Sequence, residues 1–236
     1  MNDKREVKNF FSKLEFNALQ HLYKVDNKAF TSVSNVVNSF VEKVDFNKVA
    51  YFVAKKTGKK VEEILNSWEE IKNVSCELGT KVHLFAEKHV EQVQTPTSGY
   101  EEAVVKFWEE LPEHILPFLF EFKMYSEEFR IAGTCDVVLF DTTTKEYILI
   151  DYKTNKDLFK NYKSKTLLFP FTNLIDSPFN KYQIQLSLYK ILFELTGKIV
   201  KNTKILWLKE DGNYLLYNTK DYTQILKQTL WKTTQE

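Results

Sequence analysis

The chain has 236 residues, of which 43% are apolar and 28% are charged, and its formal net charge is +1. This length is sufficient for one substantial hydrophobic core, and the near-neutral charge gives no global argument for a nucleic-acid partner. The two distant cysteines, Cys76 and Cys135, exclude a Cys₄ iron–sulfur cluster or a cysteine-based zinc finger within one chain. No signal peptide or membrane-spanning apolar run is apparent, so we expect a cytoplasmic protein without membrane contact.

The N-terminal half, residues 1–115, has patterns typical of helices. Small hydroxyl residues around Ser32 predict a helix start, because their side chains can cap free amide groups. Apolar residues at helical spacing then predict helices over 46–57, from 61 to about 68, over 71–93 and over 101–107. This part of the chain is therefore expected to be mostly helical.

Residues 116–236 have a different character. Apolar runs predict strands over 118–125, 130–140, 146–152, 205–208 and 214–217, with helices over 180–195 and 221–231. The order of these elements predicts a single mixed α/β domain over residues 1–236, with the catalytic sheet in the C-terminal half.

Two acidic residues and a lysine stand at comparable places on two of the predicted strands. Asp136 follows Gly133 at the head of one apolar run, and Asp151 and Lys153 close the next run. A hairpin would bring both carboxylates and the ammonium to one end of the sheet. Because carboxylates repel a phosphodiester, their convergence is useful there only around a bound cation such as Mg²⁺. Asp136, Asp151 and the backbone carbonyl of Tyr152 would be its ligands, and Lys153 would orient the attacking water or stabilise the developing charge.

A histidine in the predicted helix over 71–93 adds to this prediction. His83 and Glu87 are four residues apart and share a helix face. A lone helical histidine is most often a packed or surface residue. Placed against the two aspartates, His83 would become a further ligand and favour Mn²⁺ as well as Mg²⁺.

With these residues, the chain resembles the RecB-like exonuclease branch of the PD-(D/E)xK nuclease superfamily, whose phage and viral members and mitochondrial genome maintenance exonuclease are the most similar in pattern. The resemblance covers residues from about 32 to 217. The matching motifs, in chain order, are Gly79-Thr80-x-x-His83-x-x-x-Glu87, Gly133-x-x-Asp136, Asp151-x-Lys153-Thr154 and Gln185-x-x-x-Tyr189. Four motifs in order are more specific than any one of them.

The resemblance implies a restriction-endonuclease-like core, with a central mixed sheet of four to five strands flanked by helices. It also implies one or two Mg²⁺ or Mn²⁺ ions, no iron–sulfur cluster, and Lys153 as the catalytic base or the group that orients water. The implied metal ligands are His83, Asp136, Asp151 and the Tyr152 carbonyl. Gln185 and Tyr189 would bind substrate or brace the lysine. Glu121 would either assist the site or pair with a lysine, and the sequence leaves both open.

A lysine-rich stretch after the catalytic strand predicts contact with DNA. Lysines are the simplest phosphate contacts, and aromatic rings among them could stack on unpaired bases. The residues predicted to contact substrate are Thr154, Lys156, Lys160, Tyr162 and Lys163.

The sequence thus predicts a DNA exonuclease that hydrolyses phosphodiester bonds with metal-activated water and leaves 5′-phosphates. Single-stranded or frayed ends are the expected substrate, in replication, recombination or repair, with proteins of those processes as partners in a bacterial or phage-infected cytoplasm. One alternative is a structure-specific or restriction-like endonuclease on the same core. Another is an idle DNA-binding or assembly protein, which would have no chemical need for His83, Asp136, Asp151 and Lys153 together.

Overall fold

The structure is a computed structural model that describes residues 2–18, 20–161 and 164–233. Within these ranges the helices are α1 (Asn2–Phe10), α2 (Val33–Ser39), α3 (Phe46–Thr57), α4 (Val61–Glu91), α5 (Gly99–Glu109), α6 (Pro178–Glu194) and α7 (Thr223–Thr233). The strands are β1 (Leu14–Asn17), β2 (Leu22–Val25), β3 (Lys28–Ser32), β4 (Ile115–Ser126), β5 (Ile131–Asp141), β6 (Glu146–Lys153), β7 (Val200–Leu208) and β8 (Tyr214–Asn218).

The mixed α/β class is confirmed, but the prediction of a four- to five-stranded sheet is wrong. The described strands form one eight-stranded sheet in the order β1-β2-β3-β5-β6-β7-β8, with β4 also paired to β5. The pairs β3–β5 and β6–β7 are parallel and the other neighbours are antiparallel.

The additional strands are β1, β2 and β3, which lie in the half of the chain that was expected to be helical. They are short, so their alternation of apolar and polar residues covers few positions. The turn between β2 and β3 consists of Asp26 and Asn27, whose φ angles are 48° and 64°. Two positive φ angles are the requirement of a tight hairpin turn, and Asp and Asn tolerate them well. This Asp-Asn pair was the available sign of the missed hairpin.

The chain divides into two compact units, one formed by residues 1–41 and 95–236 and the other by residues 42–94. In the first unit, α6 lies against β4, β5, β6 and β7, and α2 and α7 lie against α6. α6 begins at Pro178, after Ser177 has capped it by accepting the N–H of Asn180. Because most of α6 is buried, it forms the centre of the core and presents its side chains to the strands that carry the acidic motifs.

Strand β6 is buried on both faces, and its side chains alternate between them. Tyr147 and Leu149 belong to the main apolar cluster, and the Tyr147 ring lies 5.1 Å from the ring of Phe193 in α6. Tyr152, on the opposite face, lies beside Trp108 of α5. Since alternate residues of a strand share a face, Asp151 and Lys153 follow Leu149 onto the α6 side.

The second unit contains α3 and α4. Gly58 ends α3 in the left-handed conformation with a φ of 72°, and its N–H caps the carbonyl of Ala54. α4 is one continuous helix of 31 residues, where the sequence predicted two helices with a break near residue 70. The break was wrong, since residues 68–71 include no glycine or proline that would interrupt a helix. No helix among the described residues is long and apolar enough to cross a membrane.

Candidate active site

The two motif aspartates lie where the β5–β6 ladder ends. The paired residues run from Asp141 and Glu146 at the turn to Val137 and Ile150, and the register stops there. Just beyond it, the N–H of Tyr152 donates to Oδ2 of Asp136 at 2.7 Å. The Asp136 carboxylate thus accepts the N–H of Tyr152 in place of a backbone carbonyl of the neighbouring strand. This hydrogen bond fixes the orientation of Asp136.

Asp151 and Lys153 form a buried ion pair on the face of β6 that points towards α6. Asp151 is 1% exposed, and Nζ of Lys153 contacts its Oδ2. Burial disfavours the charged ammonium and by itself would lower the pKa of Lys153. The negative charge of Asp151 outweighs burial and holds that pKa above its ordinary value. The pair therefore presents a fixed positive group beside a fixed carboxylate.

Glu121 supplies a third carboxylate. Its neighbours Phe120 and Phe122 pair with Val137 and Cys135, so Glu121 stands opposite Asp136 on β4. Carboxylate oxygens of Glu121 and Asp136 lie within 4.8 Å of each other. The backbone of Glu121 has a φ of 42°, in the left-handed region that glutamate rarely adopts. Such strain is found at functional sites more often than elsewhere.

Helix α6 braces the acidic cluster through its polar motif. Nε2 of Gln185 donates to Oδ1 of Asp151 at 3.4 Å and to the hydroxyl of Tyr189 at 2.8 Å. The glycine of the second motif makes room for this arrangement, because a Cβ on Gly133 would lie 2.7 Å from Cε1 of Tyr189 and 2.8 Å from Cγ2 of Val33. The two sequence motifs are therefore connected through the Tyr189 ring.

The sequence predictions missed Tyr182, which also belongs to this face of α6. Nζ of Lys153 lies 4.4 Å from the centre of the Tyr182 ring, and the Tyr182 hydroxyl donates to Oδ1 of Asn155 at 2.9 Å. The carbonyl of Asn155 in turn accepts Nε1 of Trp207 at 2.6 Å. The available sign was helical spacing, since Tyr182 precedes Gln185 by three residues and so shares its face.

The electrostatics of the site follow from burial among these acids. Burial raises the pKa of the Cys135 thiol well above its ordinary value, and the charges of Asp136 and Asp151 raise it further. Burial, again reinforced by Asp151 and Asp136, also raises the pKa of the Tyr189 hydroxyl. Cys135 is thus a neutral packing group, which is consistent with oxygen rather than sulfur chemistry at this site.

The structure brings together Asp136, Asp151, Lys153, Gln185 and Tyr189, and Glu121, which the sequence left open, lies beside Asp136. His83 is a half-buried residue of α4 in the second unit, and its role as a ligand stays a prediction, as does that of the Tyr152 carbonyl. Of the residues predicted to contact substrate, Lys156 and Lys160 are exposed and Thr154 is half-buried. The remaining two, Tyr162 and Lys163, lie outside the described residues.

The carboxylates of the first unit suit a hard divalent cation. Glu121, Asp136 and Asp151 offer only oxygen donors, which Mg²⁺ and Mn²⁺ prefer. Two carboxylates as close as those of Glu121 and Asp136 repel each other unless a positive charge or a proton lies near. The donor set therefore fits the Mg²⁺ or Mn²⁺ ion that the sequence predicts.

No protein-family model matches the chain, and no curated protein matches it either. Among solved structures, the chain is similar to the one described as "Crystal structure of SSO0001", with 14% sequence identity and a TM-score of 0.42. The similarity covers 98% of this chain and 82% of that one.

Proposed function

We propose that this protein is a divalent-metal-dependent DNA exonuclease of the RecB-like kind, with β4 to β7 and α6 as its restriction-endonuclease-like core. One observation carries the proposal. At the end of the β5–β6 ladder, the buried Asp151–Lys153 pair lies beside Asp136, whose carboxylate is held by a backbone N–H and faces that of Glu121. Buried charges arranged in this way are costly, and their placement is better explained by chemistry than by folding.

In the proposed site, Asp136, Asp151 and Glu121 hold Mg²⁺ or Mn²⁺. When bound, the ion supplies a Lewis acid that offsets phosphate charge and lowers the pKa of water. The sequence motifs add His83 and the Tyr152 carbonyl as further ligands. The closeness of the Glu121 and Asp136 carboxylates supports including Glu121 in the site.

Lys153 is the group that meets the reacting phosphate. Its ammonium is held between the Asp151 carboxylate and the Tyr182 ring, and this limits the directions in which it can donate. A positively charged donor in a fixed place can orient water and stabilise the extra negative charge of the transition state. Tyr182 is a positioning residue in this proposal, because it acts through Lys153.

Gln185 and Tyr189 are also positioning residues. Gln185 donates hydrogen bonds to Asp151 and to Tyr189, so the pair would hold the carboxylate in place for the ion. Lys156 and Lys160, which follow β6 and are exposed, would contact the phosphate backbone of DNA.

The test uses linear and circular single-stranded DNA, labelled at each end, with Mg²⁺, Mn²⁺ or EDTA. We expect the linear strand to be degraded from an end when metal is present, and Asp151→Asn and Lys153→Ala to lower the rate at least about a hundredfold. Asp141→Asn, a buried aspartate at the other end of β5, is the matched control and should keep the activity.

The outcomes separate the alternatives. Cleavage of the circular strand would favour an endonuclease on the same core. No metal-dependent cleavage of any DNA, or full activity in Asp151→Asn with unchanged unfolding, would contradict the proposal and favour an idle DNA-binding protein. Lys153→Ala is judged only if its thermal unfolding shows a folded protein.

A further inference from the structure

One face of α3, in the second unit, carries aromatic rings and lysines that are all exposed. Ala50 marks the buried side of this helix. On the opposite side stand Lys48, Tyr51, Phe52 and Lys55, which follow one another at i, i+3, i+4 and i+7 and therefore share one face. Tyr51 is 58% and Phe52 is 59% exposed, and both lysines are exposed. These four residues are called the α3 stripe below.

The segment that contains the α3 stripe is strongly basic. Residues 43–60 include six lysines and one acidic residue, Asp45, although the whole chain has a net charge of only +1. Asp45 is the N-cap of α3 and its carboxylate accepts the N–H of Lys48. Gly58 turns the chain at the other end, and Lys59 and Lys60 follow it directly. This segment therefore has a local excess of positive charge, which attracts a polyanion.

The two aromatic rings indicate which class of polyanion this surface would bind. Tyr51 and Phe52 lie with ring centres 5.8 Å apart at an angle of 73°, so they present differently oriented surfaces to solvent. Lysines alone would suit any phosphate backbone, including that of a duplex. Exposed aromatic rings between lysines suit a strand whose bases are unpaired, because each base can stack on a ring while its phosphates meet the ammonium groups.

A membrane surface fits the same segment less well. A helix that lies in a lipid interface separates its apolar face from its basic face. In the α3 stripe the aromatic rings and the lysines share one face, with Lys48 and Lys55 at its two ends. Two rings flanked by lysines on one face suit a nucleic-acid strand whose bases stack on the rings.

We propose that the α3 stripe is a binding surface for single-stranded DNA, separate from the acidic site of the first unit and independent of metal. The choice of DNA as the strand rests on the proposed nuclease function, whereas the preference for unpaired bases rests on the stripe itself. Such a surface would hold the strand without regard to its sequence.

The experiment measures binding of a fluorescent oligothymidine to the full chain by anisotropy in EDTA, so that cleavage does not interfere. Replacing both rings, in Tyr51→Ala/Phe52→Ala, should weaken binding at least about tenfold. Replacing both lysines, in Lys48→Gln/Lys55→Gln, should lower the slope of log affinity against log salt by about 1.4, because each phosphate contact on a single strand contributes about 0.7. The matched control is Ile71→Ala/Val74→Ala, which removes exposed apolar side chains from α4 and should leave both quantities unchanged.

Each outcome bears on the inference. Equal affinity of the ring variant and the wild type, with unchanged circular dichroism, would overturn it, as would equally strong and equally ring-dependent binding to duplex DNA. Stripe-dependent binding to anionic phosphatidylserine vesicles without binding to the oligonucleotide would also overturn it, in favour of a lipid surface. If binding depends on the stripe but no DNA is cleaved with metal, the nuclease proposal fails and the surface stands. If cleavage is intact but binding ignores the stripe, the surface fails alone.

Discussion

The two ends of the β5–β6 hairpin each carry buried aspartates, but their partners are of different kinds. At the turn, Oδ1 of Asp141 accepts the N–H groups of Thr143 and Thr144 at 2.9 and 3.1 Å, and Oδ2 accepts Nζ of Lys201 at 3.2 Å. Every one of these partners is a donor. The carboxylate therefore organises the turn, and its charge is compensated by the protein.

At the other end, carboxylates of the first unit lie close to one another. Asp136 receives one backbone N–H but lies within 4.8 Å of Glu121, and Asp151 shares its surroundings with Lys153 and Gln185. Like charges this close lower stability unless a cation joins them. One end of the hairpin therefore organises a turn through its carboxylate, whereas the other end gathers several carboxylates where a cation could bind.

The largest expected difference between the two ends is the response to metal. Mg²⁺ should raise the unfolding temperature of the wild type, because binding to the folded state adds about 2.7 kcal/mol when the ion is at a hundred times its dissociation constant. Asp136→Asn should lose this gain, and Asp141→Asn should retain it. Thermal unfolding in Mg²⁺ and in EDTA provides the measurement.

If Mg²⁺ still raises the unfolding temperature of Asp136→Asn, the ion binds elsewhere and the two ends of the hairpin do not differ in metal binding. His83→Ala belongs in the same series. A reduced response in that variant would support its predicted role as a ligand, and an unchanged response would remove His83 from the site.

The next effect concerns how α6 supports the acidic end. Gly133→Ala places a methyl group 2.7 Å from the Tyr189 ring, so the ring must move, and overpacking of this kind typically costs about 1–3 kcal/mol. Tyr189 is hydrogen-bonded to Gln185, and Gln185 is hydrogen-bonded to Asp151. We therefore expect the rate of DNA cleavage to fall by more than the loss of folded protein explains. Denaturant unfolding and cleavage rates on the same samples measure both quantities.

Tyr189→Phe is the control for that variant, since it removes the hydroxyl but keeps the ring beside Gly133. A fall in cleavage rate with little change in stability would separate the bond to Gln185 from the packing. If Gly133→Ala cleaves DNA at the wild-type rate, the Tyr189 ring does not help to position Asp151.

A smaller effect is the backbone strain at Glu121. Glu121→Gly and Glu121→Ala both remove the carboxylate and should both lose metal-dependent activity. Only glycine relieves the positive φ, so the glycine variant should be more stable than the alanine variant by about 1 kcal/mol. Denaturant unfolding of the two variants measures the difference, and equal stabilities would show that Glu121 is not strained in the folded protein.

Three residues of the acidic site could be predicted from the sequence pattern. Asp136, Asp151 and Lys153 were predictable because an acid at the end of a continuously apolar run is unusual, and strand alternation fixes which residues share a face. Gln185 and Tyr189 were predicted through the motif that resembles the RecB-like branch. The contact between Gln185 and Asp151 was not predictable, because this hydrogen bond depends on the height at which α6 crosses the sheet.

The parts of the fold that the sequence did not predict depend on pairing between distant segments. The three N-terminal strands join the sheet where β3 meets the first residues of β5, a contact between residues about a hundred positions apart. The left-handed backbone at Glu121 arises inside a strand whose sequence, Phe120-Glu121-Phe122, shows only ordinary alternation. The local sequence pattern contains neither piece of information.

The smallest expected effect tests the turn end of the hairpin through pH. Burial by itself would raise the pKa of Asp141, but the N–H groups of Thr144 and Thr143 and the ammonium of Lys201 lower it to about 2. The ordinary pKa of an aspartate is about 4, so the stabilisation from the ionised carboxylate is complete above about pH 4 and is lost as the pH falls towards 2. In denaturant unfolding with EDTA, the stability difference between the wild type and Asp141→Asn should therefore narrow across that window. Lys201→Gln should retain most of this pH dependence, because the two N–H groups remain. A difference that stays constant down to pH 2 would mean that the turn aspartate is not ionised preferentially in the folded state, and the contrast between the two ends would then rest on the acidic end alone.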